Sequence, residues 1–141
     1  MSVRKASAVW TGSLKEGGGT VSVASGVFKD LQFDVGKRFG EDPGTNPEEL
    51  IAAAHASCFS MATSAELTKK GMTPEQLSVR AEVTLGNTDD GPTVTGIKLF
   101  LEAKVPGADP AVFQKAAEKA KAKCPISRLF TAPITLEATL V

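Results

Sequence analysis

The stretch TNPEELIAAAHASCFSM, residues 45–61, decides the fold of this 141-residue chain because it starts a long helix and carries a cysteine in its middle. Asn46 suits the N-cap position, and Pro47 suits the first helical position. Glu49 follows the cap by three residues, which is the spacing of a capping box. We therefore predict a helix that runs from Pro47 to Lys70.

The body of this helix carries almost no charge. From Leu50 to Ala65 the only polar side chains are His55, three serines and one threonine, whereas a solvated helix carries charged residues along one face. We therefore expect a core helix that stops at Gly71. A single layer of sheet covers only one face of a helix, so we expect a second copy of the chain to cover the rest in a two-fold homodimer.

Strand patterns flank the helix on both sides. Before it, β-branched alternation predicts three short strands, within Val3 to Trp10, GTVSVASGVF and LQFDVG. After it, LSVRAEVTLG and TVTGIKLFLEAKV flank the turn-forming sequence NTDDGP, which predicts a β-hairpin.

Two further elements close the chain. Asp109-Pro110 opens a second helix, in which apolar residues recur at intervals of three and four while lysines take the other face. ISRLF predicts one turn after this helix, and ITLEATLV predicts a last strand. The order βββ-α-ββ-α-β predicts a single α+β domain over residues 1–141.

Composition excludes some classes of partner. Lysines and arginines together number 16, as do aspartates and glutamates, so no net charge attracts a nucleic acid or an anionic membrane. The sequence shows no charged-then-apolar leader and no apolar run of the roughly 18 residues that cross a bilayer. We expect a cytoplasmic protein that has neither nucleic acid nor membrane as its partner.

The two cysteines are the first candidates for chemistry. In a reducing compartment Cys58 and Cys124 are expected to be reactive, metal-binding or inert rather than a permanent disulfide. They form no CxxC motif, and two cysteines with one histidine are too few for a four-ligand zinc site. Cys58 is either an inert buried thiol or an activated one, because an ordinary thiol is mostly protonated at neutral pH.

Three side chains are candidates to activate Cys58. His55 lies three residues earlier on the same helix face, where it either forms a Cys-His pair or simply packs in the core. Arg38 is either a solvated charge at a strand end or a guanidinium that lowers the pKa of the thiol. Glu48 is about 15 Å from Cys58 along a straight helix. It therefore complements the helix dipole, acts through Arg38, or serves a thiol across a dimer axis.

Taken together, TNPEELIAAAHASCFSM, GKRFGEDPGTNPEEL and KCPIS closely resemble the OsmC family of thiol-dependent peroxidases, relatives of the organic hydroperoxide resistance proteins. The likeness covers essentially the whole chain. It implies an OsmC-like α+β fold and an intertwined homodimer with central buried helices and interfacial active sites. By this resemblance Cys58 is the peroxidatic thiol, Cys124 the resolving thiol, Arg38 the activating guanidinium and Glu48 the acid that pairs with it.

The resemblance also implies the reaction. Cys58 attacks a hydroperoxide and becomes a sulfenic acid, which Cys124 converts to a disulfide that an external thiol or dithiol reduces. No metal, haem or flavin cofactor is expected. The position of Arg38 resembles the OsmC branch, and the other branch has tyrosine in place of His55, so no catalytic role is carried over to His55.

Apolar residues beside the matched positions predict the substrate. They are expected to form walls that favour organic hydroperoxides over hydrogen peroxide, and they are Phe39, Phe59, Leu129 and Phe130. Two other functions remain open at this point. One is a cysteine hydrolase that uses Cys58 and His55, and the other is a noncatalytic redox sensor or ligand-binding dimer.

Overall fold

The computed structural model describes residues 1–141 and divides into two compact units, Met1–Leu50 and Ile51–Val141. The predicted α+β order is confirmed, with one short helix added before the long one. The single domain expected over residues 1–141 stays a prediction. In chain order the elements are β1 (Ala6–Thr11), β2 (Gly18–Val23), β3 (Leu31–Phe33), α1 (Val35–Phe39), α2 (Pro47–Thr68), β4 (Gln76–Thr88), β5 (Gly91–Lys104), α3 (Pro110–Lys123), a 3₁₀ turn (Ser127–Leu129) and β6 (Ile134–Leu140).

The first unit is built on an antiparallel sheet in the order β1-β2-β3. Gly19 on β2 pairs with Phe33 on β3. A Cβ atom at Gly19 would lie 2.6 Å from the Phe33 ring, so only glycine leaves room for that ring. Phe33 then stacks near Trp10, with the ring centroids 5.6 Å apart.

Helix α1 is the element that the sequence did not predict. Strand LQFDVG was expected to continue past Asp34, but the Asp34 carboxylate accepts a hydrogen bond from the Lys37 backbone N–H at 2.9 Å and caps a one-turn helix. Arg38 therefore lies on a helix and not at the end of a strand.

Helix α2 begins as predicted. The Asn46 side chain accepts from the Glu49 backbone N–H at 2.8 Å. The Glu49 carboxylate accepts from Thr45 Oγ1 at 2.8 Å instead of from the Asn46 backbone N–H, so the reciprocal half of the predicted capping box is not formed. The helix ends at Thr68, two residues before the predicted end, and Gly71 follows with the positive φ of 74° expected of a C-terminal stop.

Only one stripe of α2 is buried within this chain. The buried side chains are His55, Phe59, Thr63, Glu66 and Leu67. The exposed side chains in the middle of the helix are small or apolar and carry no charge; they are Ala53, Ala54, Ser57, Met61 and Ala65. The prediction of a helix buried all round is therefore not met by one chain alone, and an uncharged face remains uncovered.

The second unit has its core on strand β5. The predicted hairpin pairs β4 with β5 in antiparallel fashion, and β6 adds to β5 in parallel. As the central strand, β5 sends every second side chain into the core, where Ile97, Leu99 and Leu101 are each at most 1% exposed. Leu99 and Leu101 belong to the same buried core as residues of both long helices, namely Phe59, Leu67, Phe113, Ala117 and Ala120.

Helix α3 and the turn after it follow the sequence prediction. Asp109 caps α3 by accepting from the Val112 backbone N–H at 2.9 Å, and Pro110 is its first residue. The predicted turn in ISRLF is a single 3₁₀ turn. None of the helices combines the length and the apolar character that a membrane-spanning segment requires.

Glu66 ties the end of α2 to α3. The side chain is 5% exposed, and its two oxygens accept from Lys69 Nζ at 2.8 Å and Lys119 Nζ at 2.7 Å. The hydrogen bond from Lys119, followed by that from Lys69, lowers the pKa of Glu66 from its ordinary value of 4.5 to about 2. Because the folded-state pKa is depressed, the carboxylate stabilises the fold above pH 4.5, and this contribution is lost as the pH falls towards 2.

We predict that Glu66→Gln lowers the free energy of unfolding at pH 7, because it leaves two lysines without their carboxylate. The deficit should shrink between pH 4.5 and pH 2, where wild-type Glu66 takes up its proton. Urea unfolding at a series of pH values measures both effects. Glu118→Gln is the matched control, since Glu118 pairs with Lys121 on the exposed side of α3 and should change stability little. Equal deficits for the two variants would contradict the prediction.

Candidate active site

The structure brings the two cysteines together within the second unit. Cys58 lies on α2 and is partly buried, whereas Cys124 caps the C-terminus of α3 and is fully buried. Both are free thiols, and Cys58 packs against the core cluster that contains Cys124, close enough for Cys124 to raise its pKa. Residues 66 positions apart in the sequence thus become neighbours because α2 and α3 pack on the same sheet.

The surroundings of Cys58 favour the protonated thiol. Burial raises its pKa above the ordinary value, and the neighbouring Cys124 thiol raises it further. The nearby backbone N–H of Ile126 opposes this by favouring the thiolate, which lowers the pKa. No lysine or arginine of residues 51–141 acts on the thiol, so the second unit alone does not supply the cation that a reactive thiolate needs.

The first unit contains a paired guanidinium. Arg38 donates from Nε to Glu48 Oε2 at 3.1 Å and from Nη2 to Glu48 Oε1 at 2.7 Å. This two-point contact fixes the plane of the guanidinium and leaves three of its five N–H groups unused by Glu48. The same hydrogen bond lowers the pKa of Glu48 and raises the pKa of Arg38, so both groups are charged at neutral pH.

An apolar cavity of about 160 Å³ adjoins Arg38 in the first unit. The guanidinium carbon also lies 5.4 Å from the centroid of the Phe39 ring. Sequence analysis named Arg38 and Phe39 but missed the other walls. Among the missed residues, only Trp10 and Phe33 could have been suspected, because they are aromatic residues in predicted strand segments. The lining residues are Trp10, Leu14, Phe33, Asp34, Val35, Arg38, Phe39 and Pro47.

The four predicted apolar walls have different surroundings. Phe39 and Leu129 are exposed, at 59% and 73%, and Phe130 is partly buried. Phe59 is fully buried in the core of the second unit, where it packs rather than lines an open surface. A role for these side chains in substrate binding stays a prediction.

His55 is fully buried, and its contacts are not with Cys58. Its Nε2 lies 2.7 Å from Ser127 Oγ, and its Nδ1 has no hydrogen-bond partner. Burial lowers the pKa of the imidazole, so the ring is neutral at pH 7. A cysteine hydrolase needs a hydrogen bond between nucleophile and base, and neither nitrogen of His55 makes one to Cys58.

Ser127 is a residue that sequence analysis missed. It belongs to the quoted motif KCPIS, yet a serine in a turn gives no signal of a buried contact. The structure contains no group of three or more His, Cys, Asp or Glu side chains arranged to hold a metal ion. That no metal or other cofactor takes part stays a prediction.

Known proteins resemble this chain over almost its full length. A sequence model of the family described as OsmC-like protein matches residues 40–139. Peroxiredoxin OsmC of Escherichia coli strain K12 is 46% identical over 137 residues, which are 97% of this chain and 96% of that protein. An organic hydroperoxide resistance protein of Xanthomonas axonopodis pv. citri is 37% identical over 98 residues, 69% of this chain and 67% of that protein.

The fold has a solved counterpart as well. An OsmC-like protein of unknown function from Vibrio cholerae superposes with a TM-score of 0.78 at 18% identity, covering 99% of this chain and 100% of that one. At that identity the likeness speaks for the fold alone. Together with the family match and the relative from Escherichia coli, it leads to one conclusion: the chain belongs to the OsmC-like protein family.

Proposed function

We propose that this protein is a thiol-dependent peroxidase that reduces organic hydroperoxides and, more weakly, hydrogen peroxide. The observation that carries the proposal is that the free thiols of Cys58 and Cys124 are neighbours in one packed core. Two neighbouring thiols can form a disulfide with little backbone movement. The names of the relatives, a peroxiredoxin and an organic hydroperoxide resistance protein, point to the same chemistry.

The reaction has two half-reactions. In the first, the Cys58 thiolate attacks the terminal oxygen of the hydroperoxide, an S–O bond forms, the O–O bond breaks, and the alkoxide leaves as an alcohol after taking a proton. In the second, Cys124 attacks the sulfur of the resulting sulfenic acid, an S–S bond forms, and water leaves. An external thiol or dithiol then supplies two electrons to reduce the disulfide. This sequence requires no metal, haem or flavin.

The first half-reaction needs a cation near Cys58. Burial and Cys124 both raise the pKa of this thiol, whereas attack on the peroxide requires the thiolate. Arg38 is the proposed source of that charge, because Glu48 holds its guanidinium at two points and leaves further N–H groups for the thiolate and the peroxide. Glu48 is accordingly a positioning residue.

The preference for organic hydroperoxides follows from the apolar surroundings of Arg38. The cavity beside it is lined by Trp10, Phe33 and Phe39 among others. An alkyl or aryl group gains free energy by leaving water for such a cavity, and hydrogen peroxide has no such group.

A homodimer in the cytoplasm completes the proposal. The uncharged exposed face of α2, which includes Ala54, Ser57 and Met61, suits close packing against a second copy of the same helix. A reducing compartment keeps both cysteines free and supplies the dithiol reductant.

Replacement of each cysteine is predicted to impair peroxidase activity in a different way. Cys58→Ser should abolish consumption of cumene hydroperoxide with dithiothreitol as the reductant. Cys124→Ser should react at a near-normal initial rate and then stop, because its sulfenic acid is oxidised further to sulfinic acid. The wild type should show a higher kcat/KM for cumene hydroperoxide than for hydrogen peroxide.

Loss of peroxide measured over time, together with the mass of the protein at the end point, decides these outcomes. Equal activity of the wild type and both variants would rule out the proposed thiol chemistry. Comparable kcat/KM values for the two peroxides would remove the argument for an apolar substrate site.

Arg38→Lys is predicted to lower kcat/KM for cumene hydroperoxide by roughly 100-fold, the loss typical of removing one well-placed donor at a charged transition state. Lysine keeps the charge but not the two-point contact with Glu48. Glu48→Gln should cause a smaller loss. In both variants the pKa of Cys58 should rise, which the pH dependence of its alkylation by iodoacetamide measures.

The matched control for this pair is Arg80→Lys, because Arg80 is an exposed arginine that also pairs with a carboxylate, that of Glu82. It should leave kcat/KM and the pKa of Cys58 unchanged. An unchanged kcat/KM together with an unchanged pKa of Cys58 in Arg38→Lys would show that the two-point hold of the guanidinium by Glu48 does not act on the thiolate.

The dimer is predicted to depend on the uncharged face of α2. Ala54→Arg places a charge on that face and should shift the protein towards the monomer in sedimentation equilibrium at micromolar concentration. Ala122→Arg, an exposed position on α3, is the control and should leave the wild-type mass unchanged. A wild type that sediments at the 14.7 kDa mass of one chain would exclude the dimer.

A further inference from the structure

His55 is a fully buried titratable side chain that the proposed chemistry does not use. Its Nδ1 has no partner, and a buried polar atom without a hydrogen bond costs free energy that an apolar side chain avoids. Packing alone therefore explains the imidazole poorly. The feature that does account for a histidine at this position is the hydrogen bond between its Nε2 and Ser127 Oγ, at 2.7 Å.

Ser127 belongs to the short segment that follows Cys124. It starts the 3₁₀ turn three residues after that cysteine. The Arg128 backbone N–H donates to the Cys124 carbonyl oxygen at 3.1 Å, which closes the segment into one hydrogen-bonded turn. An interaction that fixes Ser127 therefore also restrains the backbone that carries the Cys124 sulfur.

Helix α2 holds this segment at two points. The first is the bond from His55 to Ser127. The second is Cys58, three residues further along the same helix face, which lies near enough to the Ile126 backbone N–H for that group to lower the pKa of the thiol. Because Ile126 and Ser127 are adjacent, the two contacts brace each other. The ring of Phe130 lies beside His55, with the ring centroids 5.4 Å apart.

We propose that His55 is a positioning residue for the resolving half-reaction, in which its hydrogen bond to Ser127 holds Cys124 beside Cys58. The inference rests on the proposed peroxidase function and deepens it. In that half-reaction the Cys124 sulfur attacks the sulfur of the Cys58 sulfenic acid, the S–S bond forms, and the S–O bond breaks. The oxygen leaves as water with the proton of the Cys124 thiol, so no further oxidant is consumed.

The bond should matter more for resolution than for attack on the peroxide, because loosening the segment weakens both the Ile126 contact that lowers the pKa of Cys58 and the Cys124 contact that raises it, and these two effects oppose each other. Attack uses Cys58 and the peroxide, and neither reacting atom belongs to the segment from Cys124 to Ser127. Resolution requires the Cys124 sulfur to reach Cys58 before a second peroxide does. Loss of the bond therefore shifts the competition from disulfide formation towards sulfinic acid.

The test compares His55→Leu, Ser127→Ala, the double variant and His55→Gln. In His55→Gln the side-chain amide can donate or accept a hydrogen bond near the position of Nε2. Rapid mixing with cumene hydroperoxide, followed by acid quench and mass spectrometry, separates sulfenic acid, disulfide and sulfinic acid. Urea unfolding shows which variants are folded, and Ser127→Ala removes only one hydroxyl group.

We expect oxidation of Cys58 to stay within about threefold of the wild-type rate in the folded variants. Disulfide formation should slow by roughly tenfold, as expected from the loss of one buried hydrogen bond, and sulfinic acid should accumulate. Because both single variants break the same bond, the double variant should be no slower than the slower single variant. His55→Gln should recover much of the lost rate, which a purely structural effect of volume would not allow.

A second assay separates this inference from the peroxidase proposal. Diamide oxidises two neighbouring thiols to a disulfide by accepting two electrons and two protons, and it needs no peroxidase activity. The disulfide should form more slowly in His55→Leu and Ser127→Ala than in the wild type with this reagent also. Failure of the wild type to consume hydroperoxide would end the peroxidase proposal, and the diamide assay would still decide the role of His55. Equal rates of disulfide formation in wild type and Ser127→Ala, or additive losses in the double variant, would overturn it.

Discussion

The contact between the thiols of Cys58 and Cys124 is the interaction on which the rest of this structure depends. It exists because α2 and α3 share the core built on β5, which brings the middle of one helix to the C-terminal end of the other. The contact has an electrostatic cost. Burial and the neighbouring thiol both raise the pKa of Cys58, so the arrangement that favours a disulfide disfavours the thiolate that must react first.

Two opposing demands follow from that cost. A shielded sulfenic acid survives long enough to meet its partner thiol, but a shielded thiol is a weak nucleophile at neutral pH. The proposed source of positive charge for the second demand is a guanidinium rather than an imidazole. Arg38 stays charged at every physiological pH and is held in one orientation by Glu48. His55, whose pKa is lowered by burial, cannot supply a positive charge at neutral pH.

The sequence predicted the features that depend on neighbouring residues. The caps at Asn46 and Asp109, the β4–β5 hairpin and the stop at Gly71 are all local, and each is found where expected. Helix α1 was missed because its strand-like sequence is overridden by the Asp34 cap. The contact of His55 with Ser127 joins residues 72 positions apart, and no local pattern encodes it. Pairing of the two cysteines was predicted only through the family resemblance, for the same reason.

The position of Cys58 on α2 also explains why a thiol lies within an uncharged helix. Its neighbour Phe59 points into the core, and its neighbour Ser57 is exposed, so Cys58 lies on the border between the buried stripe and the uncovered face. A residue deeper in the stripe would touch Cys124 but no peroxide, and a residue on the exposed face would meet peroxide but not Cys124. A charge in the middle of the helix would lie either in the core or on the face proposed to meet a second copy. The charged residues of α2 are accordingly confined to its ends, with Glu48 and Glu49 in the first turn and Glu66 near the last.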